Sequence, residues 1–370
     1  MKNFWQYLLV IIISLISSFS IQASPITNTF SAGDTLTAVK MTEIKDAVTD
    51  NDTRITTNAS EIDSLLGGDG SAGNLVISAN TNWTATPPVN PFFNNITIEA
   101  GQTLTVPAGT MILCSGSFVN NGTLVVTTGA VGNGTDFLAA SPSSSGPRFS
   151  AHPGDSYGAA TLGEFGNNGV ADPTTLRGGR GGFGIPQPVA KISFGQFRIG
   201  GGAGAGAVAG GVGGGLVKIY CNGTITNNSN INANGENGGG SIGGGGGGIV
   251  ILASNTVVDN TAGIISVTGG SGGNDSSISG ASGGGGGGIV IMMSPSAPIP
   301  GTTVVTGGTA GTNLNTQTSK GRLAGSGGGA SGGNGGDGGS TFGGGTNNAA
   351  SGGANGYVIT TTGNPLYLAR

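Results

Sequence analysis

A short motif returns four times in this chain, and its last three copies each follow a run of glycines. The first copy, residues 112–121 (ILCSGSFVNN), aligns without a gap with the second, residues 219–228 (IYCNGTITNN). The third and fourth copies begin at Ile251 and Ile291. Repeats at intervals of some tens of residues are typical of stacked supersecondary units. The repeat therefore predicts a β-solenoid, in which each copy forms part of one coil.

Short apolar segments between residues 74 and 126 support the same fold. Strands are predicted at residues 96–98, 104–106, 111–113 and 124–126, with turns between them. Strands this short suit the coils of a solenoid better than a β-sandwich. The alignment pairs Ile219 with Ile251 and places both cysteines, Cys114 and Cys221, in one column with Ala253 and Met293. We expect this apolar column to point inward, where the cysteines can form a disulfide or remain two buried thiols.

Glycine content disfavours an ordinary compact globule. The chain has 370 residues, of which 79 are Gly and only 8% are charged, whereas soluble domains contain about 7% Gly and about 25% charged residues. Glycine loses the most backbone entropy on folding and brings no side chain to a core. Because the glycines do not recur as strict triplets, collagen is also excluded. The predicted fold is mainly β: a glycine-rich β-solenoid-like body with polyglycine-type excursions, preceded by a short parallel coiled-coil helix.

A heptad pattern lies before this body, on a helix predicted from about Thr37 to the glycines that follow residue 66. The two seam columns are Met41, Val48, Ile55 and Ile62, and Ile44, Asn51, Asn58 and Leu65. Apolar residues every 3.5 positions make helices supercoil around each other, and a buried seam Asn fixes register and oligomer state. The pattern predicts a parallel homotrimer, with a lone amphipathic helix as the alternative.

The N-terminus has the pattern of a secretory signal. Lys2 precedes an apolar run over residues 8–13, which continues more loosely to an A-x-A-like site ending at Ala23. The run is short for a membrane anchor, the other interpretation, and no second segment of spanning length follows. We therefore expect a secreted or cell-surface protein with no membrane span in the mature chain. Its net charge of −4 gives no basis for binding nucleic acid.

Composition shifts divide the chain into consecutive regions. They are a signal peptide (1–23), a leader and coiled-coil stalk (24–66), the first β-solenoid coils (67–128), a glycine-rich insertion (129–215), the repeated coils (216–306), and a glycine-rich tip with a final strand (307–370).

No residue pattern predicts catalysis, a metal site or a cofactor. His152 is the one histidine, the acidic residues outside the stalk are scattered, and residues 332–337 match a single copy of a calcium-binding repeat that needs stacked copies. The insertion instead concentrates the residue types that dominate binding hot spots. Its candidate ligand-binding residues are Phe149, Tyr157, Arg177, Arg180, Phe183, Phe194, Phe197 and Arg198.

Residues 41–65 resemble the stalks of trimeric autotransporter adhesins, in which V/I-x-x-N-x-x-x-I/V coils place Asn in the trimer core. The resemblance implies that Asn51 and Asn58 face a three-fold axis and bind an anion there. Residues 357–370 depart from that family, because they do not resemble its β-barrel anchor.

Residues 94–370 resemble the glycine-rich tips of bacteriophage tail-fibre adhesins and related bacterial surface proteins, in which strands alternate with Gly runs that pack as polyglycine II helices. The signal peptide departs from the phage proteins. Together the resemblances imply an exported, non-enzymatic trimer that recognises a surface glycan or protein. The alternative is a structural subunit of an extracellular filament or matrix, a higher assembly of the same chain.

Overall fold

The computed structural model describes residues 38–128, 211–240, 242–274, 281–312, 322–323, 330, 332–341 and 349–365. On the helix, the side chains of residues 38, 56 and 58–66 are outside this description. The chain divides into two compact units, Met1–Ile62 and Asp63–Arg370.

The first unit holds most of helix α1, Ala38–Gly67. Three threonines on this helix, Thr49, Thr53 and Thr57, each donate a hydroxyl hydrogen bond to the carbonyl four residues earlier, at 2.9 Å. Such back-bonds satisfy the hydroxyl without leaving the helix. The helix ends where Gly68 adopts a φ of 76°, a left-handed conformation that glycine adopts without a steric penalty.

The second unit consists of strands. In chain order they are β1 Leu75–Ile77, β2 Thr81–Asn82, β3 Phe92–Phe93, β4 Ile96–Ile98, β5 Thr103–Val106, β6 Thr110–Cys114, β7 Phe118–Asn120, β8 Thr123–Val126, β9 Leu216–Cys221, β10 Ile225–Asn227, β11 Asn230–Asn232, β12 Ile249–Ser254, β13 Val258–Asp259, β14 Ile264–Ser266, β15 Ile289–Ser294, β16 Thr302–Val304, β17 Arg322–Leu323, β18 Ser340–Thr341 and β19 Tyr357–Thr362.

Three parallel sheets stack these strands into a solenoid-like body. Sheet A is β1-β4-β7-β10-β13, sheet B is β2-β5-β8-β11-β14-β16, and sheet C is β3-β6-β9-β12-β15-β19. The chain visits the three sheets in turn, so each strand pairs with its counterpart one coil later. The two remaining strands, β17 and β18, form a small antiparallel pair. The prediction of a mainly β, solenoid-like fold is confirmed at this level.

The core lies inside the three sheets and follows the two-residue period of the strands. In sheet B the inward column is Leu104, Leu124, Ile231 and Ile265, and all four are fully buried. Alternate residues on the same strands are half-buried or exposed. Because each coil contributes one apolar residue to every inward column, one narrow core runs the length of the stack.

Buried asparagines form a ladder at the carboxyl ends of the strands of sheet A. Asn120 Nδ2 donates to Asn227 Oδ1 at 2.7 Å, and Asn227 Nδ2 donates to Asn260 Oδ1 at 2.6 Å. All three side chains are essentially inaccessible to water. The amides are thus bonded in series where the chain turns, and this fixes the alignment of successive coils. Asn120 Oδ1, at the start of the series, is buried without a hydrogen-bond partner among the described residues.

Sheet C corrects the predicted alignment by one residue. Ile219 pairs with Leu252, not with Ile251, and Cys221 pairs with Ser254, not with Ala253. Ile251 therefore lies on the outer face of the sheet. Strands of this sheet are apolar on both faces, so alternation cannot reveal which residues point inward.

Candidate functional site

Every excursion leaves the stack after a strand of sheet B and returns at a strand of sheet C. The excursions span residues 127–215, 233–248, 267–288 and 305–356. From the sequence, a glycine-rich insertion was expected at 129–215 and a glycine-rich tip from residue 307, and the two segments in between were included in the repeated coils. The described ends of all four excursions therefore lie along one corner of the body, between sheets B and C.

Returning segments of successive excursions run parallel and are hydrogen bonded at every third residue. Three pairs of neighbouring segments show this pattern, with N···O distances of 2.8–3.1 Å. The N–H of the first residue donates to the carbonyl of the second in Gly211→Gly243, Gly214→Gly246, Gly244→Gly283, Gly247→Gly286, Gly284→Ser351 and Gly287→Ala354. Outgoing segments follow the same rule, since Gly235 donates to Thr268 and Gly238 to Ser271. The three-residue spacing makes each segment present one row of amides to the next coil.

Outgoing and returning segments also bond to each other, in antiparallel fashion. Gly285 N donates to Gly270 O and Gly288 N donates to Val267 O, both at 2.8 Å. Residues 332–339 add a further segment on the returning side, where Gly333 N and Gly336 N donate to the carbonyls of Gly287 and Gly284. We call this bonded set of segments the glycine lattice. The calcium-repeat-like residues 332–337 belong to it.

Close packing in the glycine lattice leaves no room for side chains at many positions. A Cβ built on Gly285 would overlap the carbonyl oxygen of Gly245, and one built on Gly245 would overlap that of Val212. At Gly239, near an outer end, a Cβ would meet nothing within 4 Å. Glycine is therefore required inside the lattice because the backbones lie so close together, and Gly239 at an outer turn is free of that constraint.

The ends of the longest excursion are held together by one carboxylate. Glu236 Oε1 accepts a hydrogen bond of 2.6 Å from the Thr128 hydroxyl, and its Oε2 accepts one of 3.4 Å from the Val212 amide. Thr128 precedes the residues outside the description and Val212 follows them. Glu236 thus joins the two ends of the insertion.

A disulfide crosses the same junction in the core. Cys114 on β6 and Cys221 on β9 face each other in register, with their Cα atoms 4.6 Å apart and their sulfur atoms bonded. Both residues are fully buried. Their column continues with Ser254 and Ser294, whose hydroxyls donate to the carbonyls of Gly223 at 2.8 Å and Ser296 at 2.7 Å. The coil before the insertion is thereby linked covalently to the coil after it.

The predicted oligomerisation residues are exposed where the structure describes them. Met41, Val48 and Ile55 are between 58% and 65% exposed. Ile44 is half-buried and Asn51 is exposed. The side chains of Asn58, Ile62 and Leu65 lie outside the description.

The eight candidate ligand-binding residues of the insertion, and His152, also lie outside the described residues. Within the described ranges, no three His, Cys, Asp or Glu side chains are grouped to hold a metal ion. Hydrogen bonds stabilise two carboxylates of the described residues in their charged form, and the pKa of Asp69 is lowered by its bonds from Ser71. The hydroxyl and amide of Thr261 both donate to Asp259 Oδ1, and this lowers the pKa of Asp259. These contacts form a local turn.

Among the residues that the structure describes, α1 is too polar to cross a membrane, and no other helix has the length or hydrophobicity to do so. Comparison with protein-family models, curated proteins and solved structures gives no match.

Proposed function

We propose that this chain is an exported, non-enzymatic surface adhesin that works as a trimer and recognises a surface glycan or protein. The observation that carries the proposal is that all four excursions leave the body after sheet B and re-enter it at sheet C. A rigid stack that holds all its long connections on one side is a scaffold for display. Binding residues placed there would be presented together, while the coils behind them keep their spacing.

The exposed stripe on α1 supports the trimeric coiled coil. Met41, Val48 and Ile55 recur at seven-residue intervals and are exposed in the single chain. Such a stripe is typical of the seam of a coiled coil, and its burial would drive association. Asn51, at the other seam position, would then meet its copies at the axis.

The hydrogen-bond spacing supports polyglycine-type excursions. A polyproline II helix has three residues per turn and no internal hydrogen bonds, so each of its amides is free for a neighbouring chain. Donors at every third residue of the returning segments fit that geometry. The glycine lattice would then be a bundle of such helices, stiff enough to hold exposed turns in fixed positions.

Sedimentation of the mature chain, residues 24–370, tests the trimer. We expect three times the monomer mass at micromolar concentration. Replacing both Asn51 and Asn58 by Ile should raise the melting temperature and broaden the choice of oligomer, because an apolar seam no longer selects one register. A monomeric mature chain, or a single unchanged oligomer in the Ile variant, would contradict this part of the proposal.

Retention of the labelled mature chain on glycan arrays and cell surfaces tests recognition. The variant Arg177→Ala/Arg180→Ala should bind at least about tenfold more weakly, since Arg is a frequent hot-spot residue in interfaces. The variant Lys40→Ala/Lys45→Ala removes the same number of charges from α1 and should bind normally. Equal binding by both variants would place recognition elsewhere, for example at the tip after residue 307.

The second candidate function, a filament subunit, has support at the end of the stack. Strands β16 and β19 are the last strands of sheets B and C and have one unpaired edge in the described residues. Such edges can pair with another copy. Sheet A ends differently, at a bridge to Ile299 between Pro298 and Pro300, which have no N–H to donate. Electron microscopy separates the candidates, because discrete trimers favour the adhesin and continuous fibres favour the filament.

A further inference from the structure

Sheet C has a second hydrophobic cluster on its outer face, outside the solenoid core. It is separate from the inward residues of the same strands, such as Val250 and Leu252. We call it the outer cluster, and its members are Leu216, Tyr220, Ile249, Ile251, Ala253, Ile289, Ile291 and Met293. All of them are at most 7% exposed. A layer of protein must therefore cover this face.

The strands with which the central strand of the cluster makes its main contacts do not supply that layer. Strand β12, at the centre of the cluster, contacts its sheet neighbours β9 and β15 and the corner strands β10 and β13. The covered area is also bounded. In the column through Ile251, exposure falls from 45% at Met111 to 2% at Ile251, and Ile359 on the last strand is half-buried. Tyr357, in the column through Ile289 on the same face, is 44% exposed. A limited area of this kind fits one segment of chain packed across β9, β12 and β15.

We propose that residues 129–210 of the same chain cover the outer cluster. This insertion is the longest stretch outside the described residues, and it leads directly into β9, whose Leu216 and Tyr220 are the first members of the cluster. Its sequence supplies the large apolar side chains that such a contact needs, among them Phe149, Phe183, Phe194 and Phe197. The remaining undescribed internal stretches are short and mostly polar or glycine-rich.

The inference gives different roles to the candidate ligand-binding residues. Aromatic side chains of the insertion would anchor it on sheet C, and Arg177, Arg180 and Arg198 would remain available for a ligand. The proposal does not depend on the adhesin function, because it rests on the burial of the outer cluster.

Methionine oxidation tests the proposal with residues that the chain already has. Met293 lies in the outer cluster, its neighbour Met292 lies in the inner core, and Met111 is exposed. The mature chain and a variant with residues 137–198 replaced by a short Gly-Ser linker are treated with dilute peroxide, and the oxidation of each methionine is followed by mass spectrometry. In the intact chain, Met292 and Met293 should both react much more slowly than Met111.

In the deletion variant we expect the rate at Met293 to rise at least tenfold, toward that of Met111, while Met292 stays protected. Continued protection of Met293 would overturn the proposal. If Met292 becomes reactive as well, the variant has lost its fold, and the proposal is then tested by cross-linking in the intact chain.

In the intact mature chain, a photo-reactive benzoylphenylalanine replaces Ile251, and cross-linked peptides are identified after proteolysis. The expected partner is a peptide from residues 129–210. A cross-link to the leader, residues 24–37, to a second copy or to any other region, or no cross-link at all, would overturn the proposal. The same probe at Val119, which is half-buried on the outer face of sheet A, is the matched control and should not capture the insertion.

Discussion

Replacing Gly285 by alanine is expected to lower the free energy of unfolding by about 3 kcal/mol, because the added methyl group has no space in the glycine lattice. The new Cβ would overlap the carbonyl oxygen of Gly245. That oxygen is held from the other side as well, since it accepts the Gly270 amide at 2.8 Å. Relief would require two bonded segments to separate, and the amides between them would lose their partners.

Gly239→Ala is the matched control. Its Cβ would meet nothing within 4 Å, and the substitution removes backbone freedom from the unfolded chain, so the effect should lie within about 1 kcal/mol of zero. Urea denaturation of the two variants and the parent measures the difference. Equal midpoints for the two variants would show that the lattice is not closely packed in solution.

Much of the stack could be predicted because its strands are short and alternate. Each predicted segment from 96–98 to 124–126 lies in an observed strand, and Leu104 and Leu124 share an inward column. The first two copies of the repeat, ILCSGSFVNN and IYCNGTITNN, both end in an Asn-Asn pair, and Asn227 of the second copy forms part of the buried ladder with Asn260. In these places a side chain's chemistry determines where it can lie, so the sequence carries the information.

The alignment of sheet C could not be predicted from the same kind of pattern. Ile251 and Leu252 are both apolar and both buried, one outside the sheet and the other inside it. A shift of one residue exchanges the two faces without changing hydrophobicity. The asparagine ladder contained the missing constraint, because pairing Asn227 with Asn260 fixes a spacing of 33 residues and requires Leu252 opposite Ile219.

The two middle excursions were missed for a related reason. A glycine segment has no side chains from which a partner can be inferred, and its place is set by backbone amides of neighbouring coils. Gly244 and Gly247, for instance, are aligned by the carbonyls of Gly283 and Gly286. Such partners become identifiable only once the corner from which the segments leave is known. The repeat alone, in contrast, placed the two cysteines in one column, although it left open whether they are bonded. The energetic role of the bond can be tested directly.

Removing the disulfide with the double variant Cys114→Ala/Cys221→Ala should lower the free energy of unfolding by about 3–5 kcal/mol. The bond joins residues 107 positions apart, and a closed loop of that length removes much conformational entropy from the unfolded chain. The loss of stability should therefore come mainly from the unfolded chain, which gains conformational freedom without the bond. Strands β6 and β9 remain paired in register through four further residue pairs, so the native β signal should be unchanged in the double variant.

Ser254→Ala is the control for this experiment, because Ser254 lies in the same buried column one coil later. It loses the hydrogen bond to Gly223 O and the contacts of its hydroxyl with the amide and hydroxyl of Thr256, which together should cost about 1–2 kcal/mol. Reductant provides an independent check. Since Cys114 and Cys221 are fully buried, dithiothreitol should leave the native protein oxidised and reduce it only when denaturant is added, as thiol alkylation would show. Rapid reduction of the native chain, or equal stability of the two variants, would mean that the bond does not hold together the coils on either side of the insertion.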